Sequence, residues 1–238
     1  MVPGQDGGHR RRERHGGAAV TLIGITQRVQ PANEFGERRD ALDIRWPDFF
    51  AACGIAPVPL PNRPDLVLTV ARESGVRGLV LSGGDDLAVY GGPSPHRDET
   101  ENRLLAWAVE HDIPVLGVCR GMQIILRAYG TELTEVSDHV ATRHTITQGR
   151  EVNSYHRMAA RAVLPPLRAL AYSGDVVEAV EHDHARVQGI MWHPERERPF
   201  DPRDVHSVRA FFSTSSTSPP SGTTSATGGP LPTGGGRP

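Results

Sequence analysis

The chain has 238 residues, a formal net charge of −2 and two cysteines. A charge this close to zero provides no general attraction to nucleic acid or to an anionic membrane, and two cysteines are too few for a disulfide framework. No stretch of the sequence reaches the roughly 18 consecutive apolar residues of a membrane-spanning helix. We therefore expect one cytoplasmic domain of roughly 190 residues, with no nucleic-acid or membrane partner.

The two ends of the chain differ in composition from the middle. Residues 1–17 are rich in glycine, arginine and histidine, and residues 213–238 consist mainly of serine, threonine, proline and glycine. Neither end has enough apolar side chains to offset the entropy that is lost when a segment becomes ordered. We predict a disordered leader at 1–17, a folded domain at 18–212 and a disordered tail at 213–238.

The first half of the folded region alternates apolar runs of strand length with helix-like segments. Strands are predicted at 20–25, 56–60 and 78–81, and helices at 37–52 (interrupted by Pro47), at 66–73 and from 98 to about 110. Asp98 and Glu101 resemble a capping box at the start of the third helix. This alternation predicts a three-layer α/β fold, in which a mostly parallel sheet carries helices on both faces.

A glycine-rich loop, S-G-G-D-D at residues 82–86, follows the third predicted strand. Loops at the carboxyl ends of strands are where α/β sheets bind ligands, although a tight turn with two solvated aspartates explains these residues equally well. Asp85 and Asp86 have no companion cluster of histidines or carboxylates. We therefore predict no metal site.

Cys119 lies at the junction of an apolar strand and a helix in residues 113–130. Gly117 and Gly121, two positions before and after it, allow a sharp turn like the nucleophile elbow of serine hydrolases. Such a turn places the thiol at a helix N-terminus, which favours the thiolate, and the amide of Arg120 is suited to bind an oxyanion. The alternative is a small buried core cysteine.

The second half contains shorter strand candidates at 151–155, 169–172, 176–180 and 187–192, and a terminal helix that ends near Phe212. A thiolate that attacks an acyl carbon needs a base and a third group that orients the base. His193 and Glu195 alternate across Pro194, so both side chains can face the same side of an extended segment. Alone, this H-P-E sequence is more typical of an ordinary turn.

Taken together, S-G-G-D-D, then G-V-C-R-G-M-Q, then W-H-P-E resemble the class I glutamine amidotransferase superfamily in residue type and order, over residues 20–212. The resemblance implies a flavodoxin-like fold, a Cys119 nucleophile, a His193 general acid–base that Glu195 orients, and no cofactor. It also implies that Gly84 and Arg120 form the oxyanion hole. Gly83 and Gln123 are the implied contacts of the glutamyl group.

Within the superfamily, V-N-S-Y-H resembles the γ-glutamyl hydrolase branch, where this segment borders the glutamyl pocket. Asn153, Ser154 and His156 are therefore implied substrate contacts, and a simple strand-end turn is the alternative. A closer likeness to γ-glutamyl-CDP-amidate hydrolases rests on I-G-I-T-Q-R, E-R-R-D-A-L-D-I-R-W, S-G-G-D-D-L and M-W-H-P-E-R-E. It implies hydrolysis of γ-glutamyl-CDP-amidate to glutamate and cytidine diphosphoramidate, a step of capsule phosphoramidate synthesis. The alternatives are an amidotransferase subunit that supplies ammonia to a synthase, a γ-glutamyl-GABA-type hydrolase, and a non-catalytic binding protein.

Overall fold

The computed structural model describes residues 20–213. The predicted leader therefore lies outside the described residues, as does the predicted tail except for Ser213, the last residue of the final helix. The strands, in chain order, are β1 (Thr21–Thr26), β2 (Arg28–Gln30), β3 (Arg39–Ala41), β4 (Ile55–Leu60), β5 (Leu79–Leu81), β6 (Val115–Val118), β7 (Thr134–Glu135), β8 (Val140–Ile146), β9 (Arg150–Tyr155), β10 (Met158–Ala159), β11 (Leu167–Ser173), β12 (Val176–His182) and β13 (Val187–Ile190). The α-helices are α1 (Arg45–Cys53), α2 (Val67–Glu73), α3 (Pro95–Glu110), α4 (Arg120–Ala128) and α5 (Pro202–Ser213).

A seven-stranded sheet in the order β11-β12-β13-β6-β5-β1-β4 forms the centre of the fold. The strands from β13 to β4 pair in parallel, and β12 and β11 extend the sheet in antiparallel fashion. β4 contains two prolines and forms one edge of the sheet, where their missing N–H groups leave no ladder bond unmade. The predicted mostly parallel α/β sheet is confirmed.

Helices cover both faces of this sheet, each above its own apolar cluster. On one face, Phe49 and Phe50 of α1 pack with Phe212 of α5. On the other face, Leu104 of α3 and Met122 of α4 belong to a larger cluster that also includes residues of α2. Among the described residues, no helix combines the length and the apolar character needed to cross a bilayer.

Two local predictions are wrong. The helix predicted from residue 37 begins only at Arg45, because residues 39–41 pair with β2 as strand β3. Pro47 then falls in the first turn of α1, where its missing N–H breaks no helical bond. The predicted capping box at Asp98 and Glu101 also fails, because α3 already begins at Pro95.

A hairpin of β8 and β9 lies outside the central sheet. The sequence did not predict β8, whose residues are mostly exposed or half-buried and lack a continuous apolar run. β9, by contrast, buries Val152, Asn153 and Ser154. This hairpin therefore brings polar side chains of β9 next to the carboxyl end of the sheet.

Candidate active site

Cys119 lies at the turn between β6 and α4, as the residue that precedes the helix. Its backbone has φ 51° and ψ −105°, a conformation that residues other than glycine rarely adopt. The turn is tight, since a Cβ at Gly121 would lie 2.0 Å from the carbonyl oxygen of Leu81 in β5. The start of α4 therefore packs directly on the strand that leads into the glycine-rich loop.

His193 and Glu195 form a buried pair beside this turn, and each is only 2% exposed. His193 Nδ1 and Glu195 Oε1 are 2.7 Å apart. Burial alone would lower the pKa of His193, but the charges of Glu195 and Cys119 and hydrogen bonds to both raise it from 6.5 to about 9. At neutral pH the histidine is thus protonated, and it lies between the Cys119 sulfur and the Glu195 carboxyl group, the arrangement in which a histidine activates a cysteine nucleophile.

Asn153 of β9 fixes the backbone of His193. Its Nδ2 donates to the His193 carbonyl at 2.9 Å, and its Oδ1 accepts from the His193 amide, also at 2.9 Å. Tyr155 points from β9 in the same direction, with its ring centroid 5.6 Å from that of His193. Tyr155 was not predicted from the sequence, although strand alternation places it on the same face as Asn153.

The glycine-rich loop packs against the imidazole. A Cβ at Gly83 would lie 2.4 Å from His193 Cε1, so any side chain at position 83 would displace the ring. Arg97 of α3 holds the loop, because its Nη2 donates to the carbonyls of Ser82 (2.7 Å) and Gly83 (3.0 Å). The loop is therefore held in place by the charged side chain of Arg97, which is itself fully buried.

Glu101 connects this loop to the residue after the cysteine. It accepts hydrogen bonds from Arg97 Nε at 2.9 Å and from Thr26 Oγ1 at 2.7 Å, and it pairs with Arg120. Burial would raise the pKa of Glu101, but Arg120 and Arg97 lower it below its ordinary value, so Glu101 remains charged. This network was not predicted from the sequence. Its local signal there is the spacing of Arg97 and Glu101 by one helical turn.

The other residues that were predicted to contact the substrate lie in two places. Gln123 is buried in α4, and its Nε2 donates to the Met158 carbonyl at 2.8 Å. Ser154 and His156 point away from Asn153, to the other side of β9, where Ser154 Oγ donates to the His139 carbonyl at 2.6 Å. Substrate contact by these residues stays a prediction, and the directions of Ser154 and His156 do not favour it.

An open cavity of about 340 Å³ adjoins the loop and is lined in part by Gly84 and Tyr155. Two arginines at its edge carry ion pairs with the loop aspartates: Arg28 with Asp85 at 2.5 Å, and Arg157 with Asp86. The cavity lining therefore carries two guanidinium groups, each paired with a carboxylate of the glycine-rich loop.

Comparison with known proteins identifies the family. A family model described as "Glutamine amidotransferase class-I" matches residues 67–212. A γ-glutamyl-CDP-amidate hydrolase from Campylobacter jejuni is 30% identical over 201 residues, which cover 81% of this chain and 98% of that protein. A glutamine-hydrolyzing GMP synthase subunit from Methanococcus aeolicus is 28% identical over 149 residues, covering 57% of this chain and 73% of that one.

A solved glutamine amidotransferase from Thermotoga maritima superimposes with a TM-score of 0.56 at 13% identity, covering 81% of this chain and 84% of that one, which supports the fold. The resemblance inferred from the sequence motifs is thus confirmed. The chain belongs to the class I glutamine amidotransferase family and is an amide-bond hydrolase.

Proposed function

We propose that the chain hydrolyses a γ-glutamyl amide through a cysteinyl thioester, and that its substrate is γ-glutamyl-CDP-amidate. The observation that carries the reaction is the contact of His193 with both Cys119 and Glu195. The similarity to the Campylobacter jejuni enzyme, which extends over 98% of that protein, supports the substrate.

In the proposed reaction, the Cys119 thiolate attacks the γ-carbonyl carbon and forms a C–S bond. The carbonyl oxygen becomes an oxyanion, to which we assign the backbone amides of Gly84 and Arg120 as donors. His193 gives its proton to the departing nitrogen as the C–N bond breaks. Water then attacks the thioester while His193 takes its proton, which releases glutamate and restores the thiolate.

Three further residues have supporting roles in this proposal. Gly83 and Gln123 are the proposed contacts of the glutamyl group. Asn153 acts through the His193 backbone, which it holds by two hydrogen bonds.

The two arginines of the cavity lining support a leaving group that carries phosphate. Arg28 and Arg157 lie at the edge of the cavity, and guanidinium groups bind phosphate oxygens in a bidentate manner. A diphosphate in the cavity would compete with Asp85 and Asp86 for these two side chains. Free glutamine has no anionic group on the leaving side, and γ-glutamyl-GABA has a single carboxylate there in place of a diphosphate.

The test is glutamate release from glutamine, γ-glutamyl-GABA and γ-glutamyl-CDP-amidate, with Cys119→Ala measured in parallel. We expect the highest kcat/KM for γ-glutamyl-CDP-amidate and no turnover by the variant. Equal activity in the variant would refute the mechanism. Hydrolysis of glutamine alone, and only with an added synthase, would replace the substrate assignment by that of an ammonia-supplying protein, which the similarity to the GMP synthase subunit favours as the second candidate.

Substitution of Arg157 by alanine tests the leaving-group side separately. We expect KM for γ-glutamyl-CDP-amidate to rise about tenfold, because a charge-assisted hydrogen bond is lost, and KM for glutamine to stay unchanged. Arg161→Ala is the matched control, since Arg161 is also exposed and pairs with Asp175 but does not line the cavity. Equal increases for both substrates would show that Arg157 does not contact the leaving group.

A further inference from the structure

Three histidines surround one buried glutamate on the side of β9 that faces away from Cys119. His139 precedes β8, His144 lies within it, and His156 follows β9. Glu178 belongs to β12 of the central sheet. The side chains of Glu178 and His156 have no exposed surface, and those of His139 and His144 are 13% and 12% exposed.

The ring nitrogens converge on the carboxylate without forming hydrogen bonds. The Nε2 atoms of His139, His144 and His156 lie 3.6, 3.4 and 3.3 Å from the nearer oxygen of Glu178. Nevertheless, none of these nitrogens, and neither carboxylate oxygen, has a hydrogen-bond partner. Buried polar atoms are almost always paired, and an unpaired buried carboxylate is very costly. A group that contacts several of these atoms at once would therefore stabilise the cluster.

We propose that His139, His144, His156 and Glu178 bind one Zn²⁺ ion. Zinc is usually tetrahedral with ligands at about 2.0–2.1 Å, which places neighbouring ligand atoms about 3.3 Å apart. The distances from His139 and His156 to Glu178 Oε1, and from His144 to Oε2, are close to this spacing. The ligand atoms of His139, His144 and Glu178 all lie within 4.8 Å of one another, and His156 approaches the same carboxylate from the end of β9. Imidazole and carboxylate are zinc ligands, and four protein ligands make a closed structural site.

A metal-free arrangement explains the cluster less well. Without a cation, each ring would have to donate an Nε2–H to the carboxylate, and none of these nitrogens reaches a carboxylate oxygen in hydrogen-bond geometry. The Nε2 atoms of all three rings face the Glu178 carboxylate. One cation beside this carboxylate would therefore give these nitrogens and the carboxylate a common partner.

The surroundings of His139 orient it as a metal ligand. Its Nδ1 lies 2.7 Å from the Ser137 carbonyl, and a donor bond there leaves the Nε2 lone pair directed at the cluster. The His139 carbonyl in turn accepts from Ser154 Oγ at 2.6 Å and from the His156 amide at 3.0 Å. Hydrogen bonds thus hold two of the proposed ligands side by side.

The ion would join the β8–β9 hairpin to the central sheet behind the active site. The opposite face of β9 carries Asn153, which holds His193, and the Glu178 carbonyl accepts from the amide of Met191, two residues before His193. We therefore assign the proposed ligands a positioning role, which for His156 replaces the substrate contact predicted from the sequence. The metal proposal does not depend on which γ-glutamyl amide the chain hydrolyses.

The test is zinc content of the full chain, purified without a histidine tag, exposed to Zn²⁺ and desalted. We expect one zinc ion per chain. Loss of an outer-shell partner costs roughly 10–100-fold in metal affinity, so removal of two ligands in His139→Ala/His144→Ala should weaken binding at least about 100-fold. The matched control is His96→Ala/His206→Ala, which removes two exposed histidines and should retain the ion. Absence of zinc from the wild type, or equal retention by both double variants, would overturn the proposal.

Two measurements on the wild type remain informative even if the cluster variant does not fold. Co²⁺ in place of Zn²⁺ should give the intense visible bands of tetrahedral coordination, whereas the weak bands of octahedral Co²⁺ would refute the site. Zn²⁺ at about 100 times its dissociation constant should raise Tm by roughly 5–10 °C, and Mg²⁺ should not. An unchanged Tm with Zn²⁺ would also contradict the proposal.

Discussion

His193 carries a charge that links the proposed chemistry to pH. Its pKa is raised from 6.5 to about 9, because the charges of Glu195 and Cys119 outweigh the effect of burial. A raised pKa means that the protonated form is stabilised by folding. The contribution of this charge to the free energy of unfolding is therefore complete below about pH 6.5 and is lost as the pH rises through about 9.

Glu195→Gln should reveal this dependence at the level of a single residue. The substitution removes the carboxylate that raises the pKa of His193, so the basic limb of kcat/KM should move to lower pH. Because the imidazole also loses its orienting acceptor, we expect kcat to fall by roughly 10²- to 10⁴-fold. The pH–rate profile with a γ-glutamyl substrate checks this, and Glu132→Gln, at an exposed glutamate, is the control. An unshifted basic limb in Glu195→Gln would contradict the assigned role of Glu195.

At the scale of the secondary-structure element, α3 contains two arginine–glutamate pairs with the same spacing and opposite surroundings. Arg97 and Glu101 are fully buried, whereas Glu99 and Arg103 are about half exposed. The exposed pair is surrounded by water that screens its attraction. The buried pair shares its charges with Arg120, which pairs with both Glu101 and Asp98, and little water is present to screen them.

The same substitution in the two pairs should therefore have very different effects. Glu101→Gln leaves buried arginine charge unbalanced, and we expect it to lower the free energy of unfolding by about 3–5 kcal/mol. Glu99→Gln on the same helix should change it by no more than about 0.5 kcal/mol. Urea denaturation measures both values. Similar losses would show that the buried network does not stabilise the fold as described.

The elements that could be predicted from the sequence are those with their own apolar pattern. The strand and helix that flank Cys119 were predicted because Val115, Leu116 and Val118 form a continuous apolar run, and because an apolar helical segment follows the turn. β8 was missed because its residues are mostly exposed or half-buried and give no such pattern. Local pattern therefore locates the central sheet and β9, but not β8, the other strand of the hairpin.

The candidate site divides in the same way. The sequence indicated Cys119, His193 and Glu195 because they lie in recognisable motifs. Tyr155 and Arg97 were missed because their importance depends on packing between distant segments, of β9 on the His193 turn and of α3 beneath the glycine-rich loop. The histidine cluster was missed for the same reason, since its glutamate comes from a different sheet.

At the scale of the whole molecule, we propose that residues 18–212 form the catalytic domain. The central sheet, both large apolar clusters and the Cys119–His193–Glu195 group all belong to residues within this range. A chain truncated to residues 18–213 should therefore keep the Tm and the kcat/KM of the full chain. Thermal denaturation and the glutamate-release assay check this. A large loss of either would show that a terminal segment contributes to the fold or to the site.

The backbone at Cys119 also has a consequence for selection. A residue held in such a conformation costs the folded state about 1–3 kcal/mol, out of a net stability that is typically about 5–15 kcal/mol for a domain. Glycine adopts positive φ without this cost, so a chain selected for stability alone would favour glycine at position 119. A cysteine at this position weakens folding, and only a use for its thiol offsets that loss. The strained turn thus supports the proposed nucleophile on grounds that are independent of any relative.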